Sequence, residues 1–153
     1  MDELDYRILD VLQNDFPLDQ EPYEVISDKL KIPCEQLLER LQVLMADGVI
    51  RRIGASLDSR KLGYYSTLAA ISVEPDIVEQ ASEIIGGFPE VTHSYLRSDH
   101  FNIWFTIIAS DNERLEKIIR EIPSALSLES SQILNLPVKR LFKLNACFNI
   151  SPQ

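Results

Sequence analysis

Apolar residues stand at every second position from Phe101 to Ile107, and this alternation leaves the chain few ways to fold. Side chains on a β-strand point to opposite faces in turn, so Phe101, Ile103, Phe105 and Ile107 form one apolar face that must pack on a core. The stretch before it, residues 91–97, also alternates and is followed by a short polar break. The sequence therefore predicts a β-hairpin with one buried face.

The other face of this hairpin carries polar and aromatic side chains. With a turn over Ser98–Phe101, the predicted cross-strand pairs are Arg97 with Asn102, Tyr95 with Trp104 and His93 with Thr106, with Val91 on the face of His93 and His100 at the rim. Both histidines and the single tryptophan of the chain lie in this hairpin. A strand histidine is often only a half-buried polar residue, but this concentration of groups on one exposed face indicates a ligand site.

The first 47 residues repeat apolar side chains at helical spacing. They predict three helices: Leu4–Leu12, ending before Phe16 and Pro17; Tyr23–Leu30; and Cys34–Asp47, which Gly48 ends as a left-handed cap. The expected buried stripe of the third helix is Leu37, Leu38, Leu41, Leu44 and Met45. With a strand over Val49–Ala55, this segment is predicted to be a winged helix-turn-helix.

The rest of the chain alternates strand and helix patterns. The predicted elements are a strand Tyr64–Val73, a helix from Pro75 to Gly86-Gly87, the hairpin, a helix Asn112–Ile122 ended by Pro123, and strands Ser131–Leu136 and Arg140–Phe148. This order is βαββαβ with a C-terminal extension, a ferredoxin-like arrangement. The predicted fold class is α+β, with a winged helix-turn-helix domain at residues 1–55, a linker at 56–63 and a ferredoxin-like domain at 64–153. Two helices would cover one sheet face and leave the hairpin patch on the open face.

The charge of the chain argues against nucleic acid and membrane partners. The formal net charge is −9, residues 1–55 hold twelve acidic against six basic side chains, and the third predicted helix holds three acids against one base. Phosphate contacts supply most of the affinity of DNA-binding domains, so duplex binding is not expected. Positive charge gathers instead in the segment RRIGASLDSRKLGYY, where Arg51, Arg52, Arg60 and Lys61 outnumber Asp58. Such a strip is usually only a solvated surface, but in an acidic chain it suits a small polyanion bearing carboxylates or phosphates.

The sequence shows no pattern typical of a membrane segment, a signal peptide or a metal site. No apolar run approaches the roughly 20 residues that span a bilayer, and the start MDELDY is acidic where a signal peptide would be basic, which predicts a cytoplasmic protein. Cys34 and Cys147 are far apart and suggest neither a disulfide scaffold nor a zinc site. No metal site of the protein's own is expected.

Two segments of the chain carry a family resemblance. The stretch GVIRRIGASLDSRKLGYYSTL and the hairpin VTHSYLRSDHFNIWFT, together with the preceding helix-turn-helix pattern, resemble the siroheme decarboxylase subunits of the alternative haem pathway. These subunits are relatives of the Lrp/AsnC regulators, which share the fold but generally lack this dense hairpin. The resemblance covers nearly the whole chain. It implies an enzyme, a carboxy-lyase that removes carbon dioxide from two acetate side chains of siroheme and commonly works as a pair of related subunits.

The resemblance also implies roles for the candidate residues. His93 and His100 would be catalytic, one or both supplying a proton, although either could instead ligate the iron of siroheme. The expected substrate-binding residues are Arg51, Arg52, Lys61 and Arg97 for carboxylates, Tyr95 and Trp104 for the macrocycle, and Asn102 to position a side chain or a carboxylate. No cofactor beyond the iron of the substrate is expected. The expected partner is a paralogous subunit in a heterodimer, or a second copy in a homodimer.

Two other functions fit the same residues. One is a transcription regulator of the Lrp/AsnC type, with a DNA-binding winged helix and a domain that senses a small effector. The acidic third helix counts against this alternative. The other is a non-catalytic haem-binding or assembly subunit that supports a catalytic paralogue.

Overall fold

The structure is a computed structural model that describes residues 1–143, 147 and 149–150. The chain divides into two compact units. The first comprises Met1–Ala55 with the described residues from Lys143 onward, and the second comprises Ser56–Phe142. The described residues from Lys143 onward thus group with the first unit, whereas the predicted ferredoxin-like domain was 64–153.

The described part of the first unit contains three helices, as predicted: α1 (Glu3–Asn14), α2 (Pro22–Leu30) and α3 (Cys34–Ala46). Gly48 follows α3 with a φ of 72°, which confirms the left-handed cap. Arg40 on α3 contacts the start of α1, because its Nη1 donates to Asp2 Oδ2 at 2.7 Å and to Asp5 Oδ1 at 2.8 Å. The hydrogen bond from Arg40 lowers the pKa of the Asp2 carboxyl.

Two expectations for this unit are wrong. Leu37, Leu41 and Leu44 are buried, but Leu38 and Met45 are 40% and 48% exposed, because the other two helices cover only one side of α3. The predicted strand Val49–Ala55 is also absent from this fully described segment. A strand needs a partner for its ladder, and this segment instead packs on the helices through apolar side chains, namely those of Ile50 and Ile53.

The second unit has the predicted βαββαβ order. Its elements are β1 (Tyr65–Ile71), a 3₁₀ turn (Pro75–Ile77) leading into α4 (Val78–Gly86), β2 (Val91–Leu96), β3 (Ile103–Ala109), α5 (Asn112–Ala125), a second 3₁₀ turn (Ser130–Gln132) and β4 (Ile133–Pro137). The strands form an antiparallel sheet in the order β2-β3-β1-β4, the ferredoxin-like arrangement. The fold class inferred from the sequence is therefore confirmed.

Helices α4 and α5 pack on one face of this sheet. The core contains Phe105, Ile107 and Ile71 from the strands, with Ile85 from α4 and Ile118 from α5, each no more than 1% exposed. An ion pair also ties α5 to the start of β2, since Arg114 Nε donates to Glu90 Oε1 at 2.6 Å. That hydrogen bond lowers the pKa of the Glu90 carboxyl.

Two boundaries in this unit differ from expectation. Pro123 does not end α5 but lies inside its last turn, where a missing N–H costs only one intrahelical hydrogen bond. The described residues 140–143 form no strand, so the first part of the predicted strand Arg140–Phe148 is wrong, and part of its remainder lies outside the described residues. Across the described part of the chain, each helix is too short or too polar to cross a bilayer.

Candidate functional site

The hairpin adopts the predicted register over most of its length. His93 pairs with Thr106 and Tyr95 with Trp104, and the backbone N–H of Arg97 donates to the carbonyl of Asn102 at 2.7 Å. The turn therefore spans Ser98–Phe101, as expected. Arg97, Tyr95 and His93 face the partners that the alternation assigned to them.

The position of Val91 is a correction. A β-bulge lies between Val91 and His93. From Val91 to His93 the chain of β2 advances two residues, while the paired strand β3 advances only one. Val91 consequently pairs with Ile107 and packs against the core, instead of sharing the face of His93. The bulge leaves Thr92 beside His93, where its hydroxyl lies 3.0 Å from His93 Nδ1.

The hairpin patch lies on the sheet face that α4 and α5 do not cover. Cross-strand partners share a face, so the register sets two rows of side chains across the sheet. The rows are Leu136, Leu68, Thr106 and His93, and Leu134, Ala70, Trp104 and Tyr95. Each row runs from aliphatic residues on β4 and β1 to aromatic or polar residues on β3 and β2. The aliphatic half was not predicted from the sequence, although the alternation of β1 and β4 carried the signal.

His93 and Tyr95 stand together at the exposed edge of this face. Their rings are stacked, with centroids 6.4 Å apart and planes inclined by 17°. Tyr95 is 57% exposed, and His93 is also exposed. A flat ligand can therefore reach both rings from solvent.

The turn carries the second histidine. The imidazole of His100 contacts Phe101 edge-on, with ring centroids 4.9 Å apart and planes at 76°. Its backbone N–H donates to Asp99 Oδ1 at 2.6 Å, which fixes the turn locally. Arg97 and His100 are both exposed, so the turn presents one guanidinium and one imidazole to solvent.

Asn102 and Trp104 use their polar groups inside the protein. Asn102 Nδ2 donates to the carbonyl of Val73 at 2.7 Å, and Asn102 Oδ1 accepts from the N–H of Val73 at 3.1 Å. Trp104 Nε1 donates to the carbonyl of Phe101 at 2.7 Å. The indole ring of Trp104, half-buried on the open face, remains suited to packing against a flat ligand.

The remaining candidate cations lie elsewhere in the chain. Lys61 is in the turn before β1, which Gly63 closes with a φ of 85°. The register places that turn and the hairpin turn at opposite ends of β1, a seven-residue strand. Arg51 and Arg52 are exposed and belong to the first unit. Within the second unit, the structure therefore brings together His93, Tyr95, Arg97, His100 and Trp104 but not Lys61.

A metal cluster or a surface groove could mark another site. Among the described residues there is no group of three or more histidine, cysteine, aspartate or glutamate side chains that could hold an ion. An open groove of about 500 Å³ lies along the C-terminal half of α5, lined by Phe88, Lys117, Arg120, Glu121, Ser124 and Ala125. Its floor is on the helical side of the unit, away from the open sheet face.

Comparison with known proteins identifies the family of this chain. Residues 5–51 match the model of the siroheme decarboxylase NirDL-like helix-turn-helix domain, and residues 61–143 match that of the AsnC-like ligand binding domain. The chain is 38% identical over 150 residues to the siroheme decarboxylase alpha subunit of Desulfovibrio desulfuricans, covering 98% of this chain and 85% of the relative. The chain belongs to the siroheme decarboxylase family. Another member of the siroheme decarboxylase family, the NirD subunit of Pseudomonas aeruginosa, is 34% identical over 97% of this chain and 96% of its own.

Solved structures extend this comparison within and beyond the siroheme decarboxylase family. The crystal structure of the siroheme decarboxylase NirDL superposes with a TM-score of 0.73 at 32% identity, covering 99% of this chain and 48% of NirDL. NirDL in complex with an iron-uroporphyrin III analogue gives a TM-score of 0.70, also at 32% identity, covering 96% of this chain and 46% of NirDL. Escherichia coli AsnC gives 0.80 at 18% identity, covering 96% and 97% of the two chains, which shows a shared fold alone.

Proposed function

We propose that this chain is a subunit of a siroheme decarboxylase, an enzyme that removes carbon dioxide from two of the acetate side chains of siroheme. The observation that carries the proposal is the hairpin patch on the open sheet face, in a chain 38% identical to a siroheme decarboxylase alpha subunit over 98% of its length. The iron-uroporphyrin III analogue in the related NirDL complex supports an iron tetrapyrrole as the ligand class.

The reaction sets the chemistry that the patch must supply. Breaking the bond between the acetate methylene and its carboxylate releases carbon dioxide and leaves the bonding electron pair on the methylene carbon, where the conjugated ring delocalises it. One proton then converts that carbon into a methyl group. The ring itself accepts the charge temporarily, so the proposal needs no cofactor beyond the iron that siroheme brings. The protein must hold the other carboxylates, reduce the hydration of the reacting one and deliver the proton.

The hairpin residues fit these tasks. We assign the proton donor to His93 and His100 jointly, and one of the two could instead ligate the siroheme iron. The Arg97 guanidinium is suited to a carboxylate because it can donate two parallel hydrogen bonds. Tyr95 and Trp104 offer aromatic surface to the macrocycle. Arg51, Arg52 and Lys61 stay proposed carboxylate ligands.

The open sheet face supports a second subunit as partner. Its two rows combine aliphatic residues, such as Leu68 and Leu136 at 40% and 43% exposure, with the aromatic patch. A macrocycle lying on this face would keep one side in water unless another chain covered it. The proposed partner is a related subunit or a second copy, and the cytoplasmic location stays a prediction.

The test is anaerobic incubation of the purified chain with siroheme, alone and with a paralogous subunit from the same genome. Mass spectrometry of the extracted tetrapyrrole is expected to show the loss of one or two molecules of carbon dioxide in at least one mixture. Activity of the chain alone would show that it suffices. An intact tetrapyrrole in both mixtures, without an absorbance change on mixing, would refute the proposal.

The structure weakens the regulator alternative further. The sole basic residue of α3, Arg40, is engaged with Asp2 and Asp5 and so is not available to a phosphate. We therefore expect no sequence-specific duplex binding tighter than about micromolar, even at low salt where phosphate contacts are strongest. Fluorescence anisotropy with labelled duplex DNA measures this. Tighter binding with a clear sequence preference would favour the regulator.

A further inference from the structure

Asn102 connects the hairpin turn to the rest of the sheet through both ends of its side-chain amide. The amide donates to the carbonyl of Val73 at 2.7 Å and accepts from the N–H of the same residue at 3.1 Å. Its backbone N–H also donates to the carbonyl of Ile71, at the end of β1, at 3.0 Å. Val73 is only 6% exposed, so these bonds attach the start of β3 to a fixed, buried part of the backbone.

The same residue holds the other side of the turn. The backbone carbonyl of Asn102 accepts from the N–H of Arg97 at 2.7 Å. Between these two residues the chain has no regular structure, and the other hydrogen bonds of the turn are local. Trp104 Nε1 donates to the Phe101 carbonyl, and the His100 N–H donates to Asp99 Oδ1. Asn102 is therefore the point at which the exposed turn is anchored to the core.

We propose that Asn102 is a positioning residue that holds Arg97 and His100 in place, and that it does not bind the substrate itself. This inference rests on the proposed function for its ligand, siroheme, but not for the anchoring. An exposed loop that loses its anchor gains conformational freedom, and ordering it again on binding weakens affinity. Of the two roles expected from the sequence, positioning a side chain or a carboxylate, we keep the first and extend it to the whole turn.

The anchor requires an amide. Aspartate has the same shape but would place a carboxylate oxygen against the carbonyl oxygen of Val73, while alanine removes both hydrogen bonds. The sheet offers a matched control in Asn135 on β4, whose Oδ1 accepts from Thr67 Oγ1 at 2.6 Å. Asn135→Ala loses one side-chain hydrogen bond in the same sheet but leaves the hairpin turn untouched.

The first measurement uses ligand-free protein and the single tryptophan, Trp104, which is bonded to the turn. In Asn102→Ala and Asn102→Asp, acrylamide quenching of Trp104 fluorescence is expected to rise toward that of a solvent-exposed indole. Quenching in Asn135→Ala is expected to match the wild type. Circular dichroism confirms that each variant is folded. Wild-type quenching in both folded Asn102 variants would overturn the anchoring.

The second measurement is siroheme affinity, by absorbance titration of the complex that is active in decarboxylation. Both Asn102 variants are expected to bind about tenfold more weakly, a loss comparable to ordering a released turn. A direct contact with substrate carboxylates would instead make Asn102→Asp far weaker than Asn102→Ala, with a strong dependence on salt. That result, or unchanged affinity and turnover in variants with a released turn, would overturn the positioning role. If wild-type protein fails to bind siroheme, the proposed function fails, whereas the quenching result still decides the anchoring.

Discussion

Replacing His93 and His100 together by alanine is expected to lower siroheme decarboxylation about 10²–10⁴-fold, the usual contribution of a positioned acid or base. Both imidazoles are exposed on the hairpin, so their removal opens no cavity in the core. Single variants assign the roles. The variant that loses turnover but still binds siroheme identifies the proton donor, and one whose siroheme complex has an altered absorbance spectrum identifies an iron ligand.

The matched control is Ser94→Ala, on the same strand and also exposed, but paired with Phe105 on the opposite sheet face. Turnover of this variant is expected to equal that of the wild type. All variants are compared in a complex reconstituted with the paralogous subunit, since a partner could supply part of the site. Wild-type turnover in the double histidine variant would remove both histidines as catalytic groups and would favour the non-catalytic subunit alternative.

Local alternation was sufficient to predict the hairpin, because its register depends on neighbouring residues and a short turn. The pairing of Tyr95 with Trp104 follows once the turn is placed at Ser98–Phe101. The bulge beside Thr92 could not be predicted in this way. It depends on where the chain enters β2, and there the carbonyl of Glu90 accepts from the N–H of Ile108 at 2.9 Å.

Long-range contacts explain why the surroundings of two other candidate residues, Asn102 and Lys61, differ from those predicted. From the sequence, Asn102 was predicted to be a substrate-binding residue. Its hydrogen-bond partner in the structure is Val73, which is 29 residues away in the chain and comes close only because β1 pairs with β3. Lys61 was grouped with the hairpin because it lies in the basic segment that the resemblance emphasises. The antiparallel pairing instead puts the turn before β1 at the far end of that strand. Sequence patterns thus predicted most of the helices and strands and the hairpin, but not which residues from other elements contact the hairpin.

Phe105→Ala is expected to destabilise the second unit by about 3–5 kcal/mol, the typical result of truncating a buried phenylalanine. Phe105 is 1% exposed, pairs with Ala69 and lies on the face covered by α4 and α5. Its neighbour on the strand, Thr106, lies on the open face, so Thr106→Ala is the matched control and is expected to cost less than about 1.5 kcal/mol. Denaturant unfolding followed by Trp104 fluorescence reports on this unit, which contains the only tryptophan.

The comparison of these neighbours also tests the assignment of the two sheet faces. If the open face binds siroheme, Thr106 and its row partner His93 are beside the ligand, whereas Phe105 supports the sheet from behind. A graded series at Phe105 should follow side-chain volume, with Phe105→Leu milder than Phe105→Ala, because the loss comes from removed packing and the cavity left behind. Equal unfolding midpoints for Phe105→Ala and Thr106→Ala would mean that the helices do not cover the Phe105 face, and the hairpin patch would then lose its assignment to the open one.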